Sequence, residues 1–207
     1  MTQHHRSRRS FLLIGLAVLP LCLTAITAPA EALSGKVREF SVPTAGGGPI
    51  GITAGPGGNM WFTEGIGNKI GRITPAGTIT EYPVPTADSG PSGITKGPDG
   101  ALWFTEGTGN KIARMTTAGR ISEFPVPTAD SQPHGITVGP DHKLWFTELT
   151  GNQIGRISPT GDHAISEFPV PTANASPFGN LFDIAAEPHS GALWFTEGSA
   201  NKIGQLR

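Results

Sequence analysis

Trp61-Phe62-Thr63-Glu64 returns as Trp103-Phe104-Thr105-Glu106, Trp145-Phe146-Thr147-Glu148 and Trp194-Phe195-Thr196-Glu197, with the tryptophans 42, 42 and 49 residues apart. These four are the only tryptophans in the 207-residue chain. A second marker keeps step with them, running from Glu39-Phe40 to Pro43-Thr44, Glu81-Tyr82 to Pro85-Thr86, Glu123-Phe124 to Pro127-Thr128 and Glu167-Phe168 to Pro171-Thr172. Self-similarity with a period near forty marks a repeat architecture.

Between the markers the segments are short and β-prone, as in Gly93-Ile94-Thr95, Leu102-Trp103-Phe104-Thr105 and Arg120-Ile121-Ser122-Glu123-Phe124. Pro98-Asp99-Gly100 and Ala118-Gly119 punctuate them as hairpin turns. Gly (29) and Pro (19) recur in phase with the aromatics, so they read as turns and not as disorder. Four antiparallel strands per unit of about 42 residues is a propeller blade. The chain is therefore predicted to be all-β, a β-propeller of four blades. The Trp and Phe of each pair point to opposite faces of the sheet, so a blade packs against both neighbours.

The ends are out of phase with each other. Lys36 to Phe40 reads as an outermost strand with no blade before it, and Lys202 to Arg207 as a third strand with no fourth after it. The expectation is that the N-terminal strand closes the last blade, hiding edges that an open array would expose. The other reading is an arc of a larger ring, or a chain that completes itself by self-association.

Residues 1–30 read as an export signal, and residues 31–207 as the propeller. Ser7-Arg8-Arg9-Ser10-Phe11-Leu12 precedes an apolar run to Ile26, and Ala28-Pro29-Ala30 offers a cleavage site of small residues. The paired arginines resemble a twin-arginine signal, which implies a periplasmic or secreted protein. The one cysteine, Cys22, lies in that run, so the mature chain has no disulfide and is held by packing and hydrogen bonds. Removing the signal takes three arginines with it and leaves 12 Lys and Arg against 16 Asp and Glu. An acidic chain without a basic cluster excludes nucleic acid and anionic membranes as partners.

The unit Gly-Ile-Thr, Gly-Pro-Asp-Gly, Leu-Trp-Phe-Thr-Glu, Gly-Asn-Lys-Ile, Ile-Ser-Glu-Phe-Pro-Val-Pro-Thr resembles the streptogramin B lyases, the virginiamycin B lyase family, across residues 36–207. That family is seven-bladed, and this chain carries about three blades fewer. The resemblance implies opening of a cyclic depsipeptide at its ester by elimination: a base takes the proton α to a carbonyl, magnesium stabilises the enolate-like charge, and the ester oxygen leaves. Such chemistry needs a histidine that titrates near the working pH and oxygen ligands for a hard cation. Gln132-Pro133-His134-Gly135-Ile136 carries the one histidine at the family's base position, so the resemblance makes His134 the base and Glu148, fourteen residues on, a magnesium ligand.

Two positions depart from the family. Gln132 stands where the first carboxylate ligand is expected, offering magnesium only a neutral amide, and Ser92 stands where a substrate-contacting histidine is expected. Ile50 and Phe178 read as the counterparts of His134 in the first and last blades. The glutamates ending the four Trp strands recur in every blade, so their default role is structural. Asn68, Asn110, Asn152 and Asn201 read as turn residues bonding their own backbone. His142 and His163 read as solvated, and His189 is out of register with the site. A small molecule or cyclic peptide is the expected ligand. The alternative is a non-catalytic propeller that binds a peptide, glycan or protein partner.

Overall fold

The computed structural model describes Met1 and residues 35–172, 181–189 and 191–207. The segment read as an export signal lies outside the described residues apart from Met1, as do Cys22 and Phe178. The chain divides into a unit ending at Glu39 and a compact unit, Phe40–Arg207, that holds every strand among the described residues.

Among the described residues, fifteen strands alternate with tight turns. The first blade is β1 (Pro49–Ala54), β2 (Met60–Glu64), β3 (Lys69–Ile73) and β4 (Ile79–Pro83). The second is β5 (Pro91–Lys96), β6 (Leu102–Glu106), β7 (Lys111–Met115) and β8 (Ile121–Pro125). The third is β9 (Pro133–Val138), β10 (Leu144–Glu148), β11 (Gln153–Ile157) and β12 (Ile165–Pro169). The last holds β13 (Leu181–Ala186), β14 (Leu193–Glu197) and β15 (Lys202–Leu206). Each sheet is an antiparallel meander in chain order. The register repeats: Phe62 faces Gly71, Phe104 faces Ala113 and Phe146 faces Gly155.

The joints between blades are built as the alternation of Trp and Phe requires. Trp61 from the first blade is buried with Ile94, Leu102, Phe104 and Met115 of the second. Trp103 is buried with Ile136, Leu144, Phe146 and Ile157 of the third, and Trp145 with Ile184, Leu193 and Phe195 of the last. Each of these tryptophans also lies against the aromatic of its own outer strand, Tyr82, Phe124 or Phe168, at 5.7, 5.8 and 5.3 Å. Offset ring pairs of this kind add to the burial term. Two indoles have built-in acceptors: Trp103 Nε1 donates to Asp99 at 3.1 Å and Trp145 Nε1 to Asp141 at 2.8 Å.

A second seam ties the blades at their inner ends. Thr63 Oγ1 donates to Ser92 O at 2.6 Å, Thr105 Oγ1 to His134 O at 2.7 Å and Thr147 Oγ1 to Phe182 O at 3.2 Å. The same hydroxyls accept from Gly51 N, Gly93 N and Gly135 N, each at 2.9 Å. The absence of a side chain there lets the inner strands approach. A methyl group on Gly93 would sit 2.3 Å from His134 O. Inner strands β1, β5, β9 and β13 therefore stand side by side in that order.

The expected closing strand is not formed. Residues 35–42 carry no strand, and the last sheet has three strands with β15 at its open edge. Two contacts hold the segment that starts at Phe40 to the first blade, as their counterparts join the first blade to the second. Phe40 packs over Gly77 of the first blade, as Tyr82 packs over Gly119 of the second. Thr44 donates from N (2.9 Å) and Oγ1 (2.8 Å) to Glu81, as Thr86 does to Glu123. The segment after Glu39 thus lies against the outer face of the first blade, and β1 and β13, at opposite ends of the row, are not packed together. The four blades form an open arc.

Candidate active site

His134 lies on β9, half-buried, with its Nδ1 2.9 Å from Phe182 O across the seam to the last blade. A carbonyl only accepts, so Nδ1 carries the proton and Nε2 is left with its lone pair. The Phe182 ring stands edge-on to the imidazole with centroids 6.1 Å apart. Backbone and ring together fix the tautomer and the plane of the histidine.

The row of inner strands places Ile50, Ser92, His134 and Phe182 at one repeat position, because each precedes the residue whose N–H meets the strand threonine. The counterpart of His134 in the last blade is therefore Phe182, not Phe178. The extra residues of that repeat fall before β13, which moves the register by four. Ser92 is buried on β5, its carbonyl held by Thr63, one blade away from His134.

Gln132 is exposed and adopts φ 52°. Its carbonyl accepts from Leu149 N at 3.0 Å, as Gly48 O accepts from Gly65 N and Gly90 O from Gly107 N. Gly48 and Gly90 have φ 64° and 63°, so this is a left-handed position that glycine fills without cost. A glutamine held there carries about 1 kcal/mol of backbone strain. Strain retained two residues from the candidate base points to a use for the side chain. Comparison of the repeats gave the signal: the third blade alone among the three that can be compared replaces this glycine, and it replaces the glycine after the strand glutamate, with Leu149.

Glu148 ends β10 and is fully buried, with neither carboxylate oxygen hydrogen-bonded. It packs beneath the β10–β11 turn, where a methyl on Gly151 would lie 2.7 Å from Glu148 Oε2 and 2.8 Å from Ser131 Cβ. Burial, and then the nearby Glu167 carboxylate, pushes its pKa up to about 7. The Ser131 hydroxyl offsets this only in part, since it donates to Asn110 Oδ1 at 3.0 Å. Glu106 repeats the arrangement, raised to about 7 by burial and then by Glu123, and Glu64 is raised by burial and then by Glu81. The buried carboxyl is thus an element of the blade.

What distinguishes the third blade is the missing cation. Lys69 and Lys111 bond Glu81 and Glu123 at 2.7 and 2.8 Å, while Gln153 stands in their place and reaches only Thr128, at 2.7 Å.

The structure brings Gln132 and Glu148 to one turn: Glu148 is paired with Pro133 across the ladder, and Leu149 bonds Gln132. The imidazole of His134 instead reaches the last blade. Among the described residues no three His, Cys, Asp or Glu side chains gather as a metal cage. Of the other histidines, His142 is exposed in a turn with φ 56°. His163 is not a solvated residue: it lies 4.6 Å from the Phe124 ring and 5.9 Å from Trp103, covering the joint between the second and third blades. The turn asparagines do more than bond their own turns. Asn68 Nδ2 reaches Thr86 O at 2.8 Å and its Oδ1 accepts from Ser89 N at 3.0 Å, tying each turn to the connection into the next blade.

Residues 30–207 match the virginiamycin B lyase family. The chain belongs to that family. A solved virginiamycin B lyase from Staphylococcus aureus superimposes with a TM-score of 0.79 at 49% identity, over 85% of this chain and 58% of that one. A structure described as a streptogramin B lyase gives 0.72 at 42% identity, over 82% and 58%. A virginiamycin B lyase from Saccharopolyspora erythraea is 50% identical over 42 residues, one blade's length, which is 20% of this chain and 14% of that protein. The chain spans less than two thirds of the length of these relatives.

Proposed function

We propose that this is an exported member of the virginiamycin B lyase family that opens a cyclic depsipeptide at its ester by elimination, with His134 as the base. The observation that carries the reading is the bond from Nδ1 to Phe182 O, which leaves Nε2 as a proton acceptor of fixed direction. Nε2 takes the proton from the carbon that lies α to an amide carbonyl and next to the carbon bearing the ester oxygen. The electron pair forms a double bond between those two carbons, and the carbon–oxygen bond breaks so that the ester oxygen leaves as a carboxylate. The ring opens without the addition of water.

Glu148 offers two buried oxygens with no partner, and Gln132 a carbonyl oxygen at the same turn, so these two would hold a magnesium ion. When bound, the ion supplies positive charge against a developing enolate. A single carboxylate with an amide makes this a weak site. Ser92, one blade along the row, would contact the substrate. A solved relative described as catalytically inactive was crystallised with quinupristin, which supports a cyclic peptide as the class of ligand.

The test is incubation of the purified chain with a streptogramin B and magnesium, followed by chromatography and mass spectrometry. The reading expects a linear product of unchanged mass that His134→Ala does not form. An intact antibiotic, with folded protein, rejects it. Binding of the antibiotic that survives His134→Ala, without ring opening, favours the non-catalytic propeller instead.

A further inference from the structure

The third blade gives up two glycines, and both replacements flank His134. One is Gln132. The other is Leu149, which follows the strand glutamate where the remaining blades carry Gly65, Gly107 and Gly198. The backbone at this position repeats through the first three blades: Leu149 N donates to Gln132 O at 3.0 Å, as Gly65 N does to Gly48 O and Gly107 N to Gly90 O. The glutamates before it are paired alike, with Pro49, Pro91 and Pro133. A Cβ at this position therefore points the same way from each of these sheets.

The glycines show where it points. A Cβ on Gly65 would lie 2.5 Å from Ile50 Cδ1, and one on Gly198 would lie 2.7 Å from the Phe182 ring. Ile50 and Phe182 are the counterparts of His134, so in those blades the side chain at that place folds back over the glycine of its own sheet. Serine is too short to do this: a Cβ on Gly107 would meet nothing nearer than Pro133 O, at 3.5 Å. Carbon atoms come to rest at about 3.5–4.0 Å, so a Cβ at this position and a side chain folded back over it exclude each other.

We infer that Leu149 is a positioning residue for His134. Its Cβ takes the space into which the imidazole would otherwise fold, and the ring turns instead to the next blade, where Nδ1 donates to Phe182 O at 2.9 Å. Folded back over its own sheet, the imidazole would lose that acceptor, and its proton would be free to settle on either nitrogen. The role rests on the reading of His134 as a base: Leu149 acts through the imidazole, by keeping the lone pair on Nε2. It also accounts for a leucine standing where glycine is the rule, in the same blade that carries the histidine.

Nitrogen-15 spectra of the histidine-labelled chain, recorded above the imidazole titration and without substrate, read the tautomer of His134 in the parent, Leu149→Gly and Leu149→Ala. Glycine is what the other blades carry at this position, so the first variant keeps the fold, and urea unfolding ranks the stability of all three. In Leu149→Gly the ratio of Nδ1-protonated to Nε2-protonated imidazole is expected to fall about fivefold, the weight of one hydrogen bond. Leu149→Ala retains the Cβ and is expected to hold the parent ratio although it loses most of the leucine side chain. A merely structural role would make the ratio follow stability instead. A ratio unchanged in Leu149→Gly overturns the inference and leaves His134 standing as a base, and so does an alanine variant that behaves like the glycine one. A parent that already carries the proton on Nε2 overturns both.

Discussion

Replacing Glu148 with glutamine separates the cost of a buried charge from everything else the blade does. The carboxyl is fully buried, and burial followed by Glu167 raises its pKa from an ordinary 4.5 to about 7. Because the folded value lies above the unfolded one, the favourable contribution is complete below the unfolded value and is lost as pH climbs toward the folded one. Within that window the folded chain keeps a proton that the unfolded chain has released. Stability therefore falls with rising pH. At about 1.36 kcal/mol per pKa unit, the loss between about pH 5 and about pH 8 is about 2.5 kcal/mol from this one carboxyl. Glutamine has no proton to lose. Any fixed cost of its amide is the same at both pH values, so the parent and Glu148→Gln should differ by about 2.5 kcal/mol more at the higher pH, in favour of the variant. Urea unfolding at the two pH values measures this directly. A parent–variant difference that does not move with pH would refute the argument that Glu148 is buried without a compensating partner.

Further outcomes follow from the same contacts. Trp103→Ala should lower unfolding free energy by about 3–5 kcal/mol in urea titration, because the indole is fully buried between two blades and bonded to Asp99. Gln132→Gly should raise stability by about 1 kcal/mol by relieving a left-handed glutamine, and should weaken magnesium binding measured by calorimetry. Gln153→Lys should restore the bridge between Thr128 and Glu167 that the first two blades have, adding about 0.5 kcal/mol in thermal or urea unfolding.

The blade was legible because its signals are local. Trp and Phe alternate on one strand, turn residues bound every segment, and a period of 42 sets the register that the ladders confirm. His134 was legible because it breaks a repeat position, and the seam threonines explain why that position faces the neighbouring blade. What the sequence did not show depends on contacts between distant segments. The end of the chain read as a closing strand finds Gly77 and Glu81 of the first blade, and the open arc leaves β15 out of reach. Phe178 was matched by its flanking Pro and Gly, whereas the ladder of β13 with β14 puts Phe182 at that place. The burial of the strand glutamates has no local mark at all. Their alternation reads as polar, and only the packed turn above them, with Ser131 and Gly151, takes them out of water.

The proposed elimination depends most directly on which nitrogen of His134 carries the proton. Long-range proton–nitrogen correlation spectra of the chain labelled with nitrogen-15 at histidine, recorded above the imidazole titration, assign the tautomer of His134. The structure predicts protonated Nδ1 and bare Nε2. A signal showing Nε2 protonated, with Nδ1 bare, would mean that the imidazole does not donate to Phe182 O and has no directed lone pair to offer a substrate.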